Sequence, residues 1–146
     1  MSNFKGHALG GITAALAVGG GLWATGHSPN IIMSGATATF LFSLFPDLDV
    51  KSTPSKVFYY IVFIALSWLY YTDEHRLAHL IAMVALIPQL VNHRGILHSR
   101  ITSIVLPLAT VFLAPLGIAT PHDALILGGC GVLGYNVHLA LDRIWF

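Results

Sequence analysis

Charge is scarce in this chain. Asp, Glu, Lys and Arg together make up 9% of its 146 residues, where an ordinary soluble domain carries about a quarter. So little polar surface cannot clothe a fold in water. The formal net charge is only +1, which gives no support for nucleic-acid binding. A single cysteine, Cys130, excludes an internal disulfide; set in an apolar, glycine-rich run, it reads as a small packing residue. Internal repeats and low-complexity tracts are also lacking, and the length suits one domain over residues 1–146. What is abundant is hydrocarbon: 55% of residues are hydrophobic and the mean hydropathy is +0.75. These numbers describe an integral membrane protein.

Six apolar segments run Ala8 to Ala24, Ile31 to Phe45, Val57 to Tyr71, Leu77 to Val91, Ile101 to Ile118 and Ala124 to Leu141. Continuously apolar runs argue against a β-barrel, whose strands alternate, and open strands cannot satisfy their edges in lipid. The expectation is all-α: a polytopic bundle of about six short transmembrane helices. Several segments fall short of the roughly 20 residues that a hydrocarbon core asks for. Flanking Trp23, Tyr70, Tyr71, Trp145 and Phe146 suit interfacial anchors. The first segment, after Lys5 and before Ala24-Thr25-Gly26, imitates a secretory signal but is read as the first membrane helix. Ser28 or Asn30 can cap the second helix, and Pro121 suits a helix start. Pro88, Pro107 and Pro115 should kink the runs that hold them. Gly10-Gly11 and Gly128-Gly129-x-Gly131 leave room for close helix approach.

If all six segments cross, both chain ends and the connections at 46–56 and 93–100 share one face. That face then collects His7, Asp47, Asp49, His93, Arg94, His98, His138 and Asp142 from four remote parts of the chain. It also collects Lys5, Lys51, Lys56, Arg94, Arg100 and Arg143 against Arg76 alone opposite. The positive-inside tendency makes it cytoplasmic, with both termini inside.

The clustered residues are metal-ligand types. His138 and Asp142 stand four apart, on one helix face, and a His-x-x-x-Asp clip suits zinc, manganese or iron; the pair equally fits a histidine–carboxylate hydrogen bond. Asp47 and Asp49 flank Leu48 after Pro46 and can bridge cations, or simply end a helix in a solvated turn. In His93-Arg94-Gly95-Ile96-Leu97-His98-Ser99 the glycine permits a turn on which both imidazoles converge. Arg94 suits a phosphate or carboxylate oxygen, and Ser99 reads as a helix cap. The histidines and aspartates exceed one ion's needs, so one or two divalent ions are expected, zinc first, with an aspartate able to bridge a pair. Opposite, Asp73, Glu74, His75 and His79, with His27, His122 and Asp123 nearby, contain a His-x-x-x-His spacing but read as polar loops.

Pro46-Asp47-Leu48-Asp49, His93-Arg94-Gly95-x-x-His98-Ser99 and Gly134-Tyr135-x-x-His138-x-x-x-Asp142, after His7-x-x-x-Gly11, resemble the YdjM-like family. These are small bacterial and archaeal inner-membrane proteins described as metal-dependent hydrolases. Leu97 and Gly6 replace threonines common in the family, a departure touching hydrogen bonding around the site. The resemblance implies that His7, Asp47, Asp49, His93, His98, His138 and Asp142 carry metal. A distant likeness to zinc-dependent phospholipase C proteins implies a phosphoester or lipid-linked substrate. The leading expectation is thus a membrane-embedded hydrolase whose partners are membrane lipid and a small or lipid-linked substrate. Asp49, Arg94 and His98 would act in catalysis. An ion-handling transporter and a small membrane protein without chemistry are the alternatives.

Overall fold

The computed structural model describes residues 4–48, 53–90, 96–117 and 119–142, and every regular element among them is helical. The α-helices are α1 Phe4–Ala24, α2 Pro29–Leu44, α3 Thr53–Tyr71, α4 His75–Leu90, α5 Thr102–Leu108 and α6 Pro121–Leu141. Turns of 3-10 helix lie at Phe45–Asp47, Ile96–His98 and Ala109–Leu113.

Local chemistry places the boundaries. Ser28 caps α2 by accepting from the Ile31 N–H, with Pro29 opening the helix. Thr120 does the same for α6, accepting from Asp123 ahead of Pro121. In both cases proline occupies a first-turn position whose N–H has no intrahelical use. α1 ends on Gly26 at φ 77, with Gly26 N–H bonding Trp23 O and His27 N–H bonding Leu22 O. This left-handed closure satisfies two orphan carbonyls. Asp73, at φ 60, closes α3 the same way, its N–H and that of Glu74 returning to Tyr70 and Leu69.

The fifth apolar segment departs from expectation. It does not form one helix from Ile101 to Ile118: α5 has 7 residues and gives way to the 3-10 turn. Pro107 inside α5 removes an N–H from the ladder, and the tighter winding follows directly after it. Ser99 does act at this helix start, accepting from the Thr102 N–H. Among the described residues two helices are long and apolar enough to cross a membrane: α1 over Gly6–Ala24, and α6. The 21 residues of α6 rise about 30 Å, the thickness of a hydrocarbon core. Phe58–Tyr71 and Thr102–Leu113 are apolar but shorter, so length and composition support two of the six expected crossings.

By its contacts the chain divides into two compact units, residues 1–46 with 98–146, and residues 47–97. In the first, α2 packs on both α1 and α6, and α5 with its 3-10 turn packs on α6. The α2–α6 seam is parallel and steps by one turn at a time. Gly35 lies by Cys130 and Thr39 by Gly134, and Ser43 lies by His138, all at one sequence separation of 95. At the middle step a Cβ on Gly134 would overlap the Thr39 carbonyl, so only hydrogen fits there. Thr39 Oγ1 donates to Gly35 O at 2.9 Å and lies 3.1 Å from Cys130 O, tying the backbones together. In the second unit α3 and α4 form a helical hairpin. Tyr59 Oη donates to Ala85 O at 2.9 Å, one turn before the buried Pro88 that interrupts α4.

Side chains are distributed as hydrocarbon surroundings require. Leu16, Trp23, Tyr71 and Phe112 are all more than 70% exposed, while His7, Thr39, Ser43, His98, Ser103 and His138 are buried. Water would penalise so large an apolar exterior.

The seam gives a first prediction. Gly134→Ala forces α2 and α6 apart against backbone atoms and is expected to lower stability by about 1–3 kcal/mol. The measurement is the thermal unfolding midpoint in detergent, which should fall by several degrees. Gly129→Ala, where a Cβ meets nothing within 4 Å, should leave the midpoint unchanged or raise it.

Candidate metal centre

The first unit gathers its chemistry at one end. His7 sits in the first turns of α1, and Ser43 in the last turn of α2. His138 is in the last turn of α6, Asp142 is its C-cap, and His98 closes the 3-10 turn Ile96–His98. Three imidazoles approach one carboxylate through their Nε2 atoms. His7 Nε2 lies 3.2 Å from Asp142 Oδ1, His138 Nε2 lies 3.5 Å from Oδ2, and His98 Nε2 lies 3.8 Å from Oδ2. The His7 and His138 rings stack at 4.1 Å with 16° between their planes, whereas His98 meets His138 edge-on at 5.6 Å and 67°.

One ring nitrogen is fixed by the fold. His138 Nδ1 lies 2.8 Å from the Ser43 carbonyl. A carbonyl only accepts, so Nδ1 carries the proton and Nε2 is left to face Asp142. The carbonyls in the last turn of a helix lack intrahelical partners, and here one of them orients a histidine, the arrangement that metal-bound imidazoles use. The α2–α6 seam therefore ends in a positioned donor atom.

The electrostatics point the same way. The Asp142 side chain is 9% exposed, and a carboxylate withdrawn from water costs several kcal/mol unless compensated. Asp142 also stands at the C-terminal end of α6, where the helix dipole is negative. What faces the carboxylate from α1, from the 3-10 turn and from α6 are imidazole nitrogens. A cation held between these nitrogens and the carboxylate would balance the charge. The donor atoms of His98, His138 and Asp142 all lie within 4.8 Å of one another, a spread that one ion can span. These residues can hold a metal ion.

Four residues singled out from the sequence, His7, His98, His138 and Asp142, thus come together. Asp47 ends the 3-10 turn Phe45–Asp47 directly after α2 and is partly exposed. Asp49, His93 and Arg94 lie outside the described residues. Sequence reasoning misses the Ser43 carbonyl, because a backbone acceptor has no residue signature; only the small-residue steps along α2 and α6 hint at it. The residues expected on the opposite face stay polar connections. His79 Nε2 is 3.1 Å from Tyr70 Oη, and His75 pairs with Asp73 at 3.5 Å. In the first unit His27 stacks on His122 at 6.3 Å. Among the described residues neither group assembles a metal-ligand set.

The profile of the YdjM inner membrane protein family matches residues 1–146, the full length of the chain. No curated protein and no solved structure matches it.

Asp142→Asn is expected to weaken metal retention more than about 100-fold, beyond the usual effect of losing an outer hydrogen-bond partner. Elemental analysis of protein purified in detergent measures this. Asp123→Asn, at the start of α6, should retain metal like the parent; equal metal in the parent and Asp142→Asn contradicts the assignment.

Proposed function

Because the chain belongs to the YdjM inner membrane protein family, we propose that it is a membrane-embedded, metal-dependent hydrolase of phosphoester or lipid-linked substrates. The observation that carries this reading is the convergence of three histidine Nε2 atoms on the Asp142 carboxylate.

In this reading His98, His138 and Asp142 hold a divalent cation, zinc first and manganese or iron next, with Asp47 as a further ligand. A bound cation of this kind acidifies water to near neutrality and polarises a phosphoryl oxygen. The chain's own residues supply the rest. Hydrolysis forms a phosphorus–oxygen bond to water and breaks the one to the ester oxygen. The proton from water passes to a carboxylate, Asp47 or Asp49, and returns to the departing alcohol. His98 takes part in holding and orienting the reacting groups. Arg94 grips the anionic head through its forked donors, and His93 adds a ligand from the same loop. The roles of Asp47, Asp49, His93 and Arg94 rest on sequence position and on the family resemblance.

The surroundings fit a lipid-linked substrate. The exterior of the fold is apolar, and the site lies at helix ends, where a headgroup at an interface would meet it. With Lys5, Lys51 and Lys56 on the same side by sequence, that interface is the cytoplasmic face of the inner membrane, and both termini are inside. The fold is then a polytopic bundle whose shorter helices lean on neighbours or on a thinned bilayer.

The test is release of phosphate or phosphorylated headgroup from lipid phosphoesters in mixed micelles. Activity is expected with zinc or manganese, lost on chelation and restored by metal. His138→Ala should reduce it at least about 100-fold. A metal-loaded protein that cleaves none of these lipids, yet carries divalent ions into vesicles, would replace hydrolysis with transport.

A further inference from the structure

We infer that the site holds two cations, with Asp142 as the carboxylate that bridges them. One ion lies between Oδ2, His98 and His138; the other lies between Oδ1 and His7. The inference rests on the metal-binding reading above and specifies how the ligands are shared.

The argument is geometric. An imidazole binds a cation along the lone pair of its nitrogen, in the plane of the ring, at about 2.0–2.1 Å. One ion can serve two imidazoles only where their planes cross within that distance of both nitrogens. The His98 and His138 planes are inclined by 67° with centroids 5.6 Å apart, and both Nε2 atoms face the same oxygen, Oδ2. These two rings can share an ion. The His7 and His138 planes are inclined by only 16° across a 4.1 Å stack. Planes so nearly parallel meet far outside coordination distance, so no single position lies along both lone pairs.

His7 is therefore left with its own ion or with none. Its Nε2 faces the other oxygen, Oδ1, at 3.2 Å. Two donors that share one tetrahedral ion at about 2.0–2.1 Å each stand just over 3 Å apart, so this pair can hold a cation between them. His7 is 2% exposed, and the donor set whose atoms all lie within 4.8 Å does not include it. An ion in the plane of His7 and an ion in the plane of His138 are kept apart by the stacking of the two rings, whose centroids lie 4.1 Å apart. Two-ion phosphoester sites use about 3.5–4 Å. The stack of His7 on His138 thus sets the spacing between the ions, and the two oxygens of one carboxylate hold one each.

Manganese loading tests this without any assay of catalysis. Protein in detergent is equilibrated with Mn2+, bound metal per chain is counted, and the frozen sample is examined by electron paramagnetic resonance. The expected result is two manganese ions per chain with the spectrum of an exchange-coupled pair. His7→Ala should bind one ion and show the lines of isolated manganese, and His7→Gln should behave alike, so a folding defect in one variant does not decide the matter. A parent protein that binds a single, uncoupled ion overturns the two-ion inference and leaves the metal site standing. A parent that binds no manganese or zinc overturns both.

Discussion

The carboxylate of Asp142 is the point on which this structure turns. It sits almost out of reach of solvent, at the negative end of a helix, with imidazoles on either side. Any one of these conditions is ordinary, but together they make an anion that the fold must stabilise by placing positive charge beside it. A divalent cation between nitrogen and oxygen donors supplies such charge. The site therefore reads as one in which binding a cation and completing the fold are linked, so that metal should stabilise the native state by mass action.

The rest of the first unit can be understood as the means of holding that geometry. α2 and α6 run parallel in one-turn register, and the seam is drawn tight where Gly134 meets the Thr39 backbone. One turn further along, the same register brings the Ser43 carbonyl to His138. In a hydrocarbon medium apolar side chains gain little by packing on each other, so close backbone approach and hydrogen bonds hold helices together. Here both devices serve the site as well. Ser103 Oγ, 3.3 Å from Asn136 Oδ1, adds a polar link between α5 and α6 near the same end.

Much of this was legible in the sequence, for identifiable reasons. The four-residue spacing of His138 and Asp142 is enough to put them on one helix face. Counting apolar runs led to the expectation that His7 and His98 join them, and both stand beside Asp142 at that end of the first unit. Ser28-Pro29 and Thr120-Pro121 marked helix starts because capping chemistry is local. What could not be read was non-local or carried by the backbone. The Ser43 carbonyl has no side-chain signature, and the stacking of His7 on His138 depends on how closely α1 approaches α6. The apolar run from Ile101 looked like a spanning helix because hydropathy does not register the break that Pro107 introduces. The spacing of His75 and His79 matched a metal clip, yet a neighbouring tyrosine hydroxyl claims His79.

The central claim is that this carboxylate and its imidazoles form the binding site for a metal ion. X-ray absorption at the zinc edge of zinc-loaded protein tests it most directly. The account predicts nitrogen and oxygen neighbours at about 2.0–2.1 Å, with outer-shell scattering of imidazole rings that falls sharply when His98 and His138 are replaced together. A zinc ion surrounded by water oxygens alone, or an imidazole signal indifferent to those replacements, would contradict it.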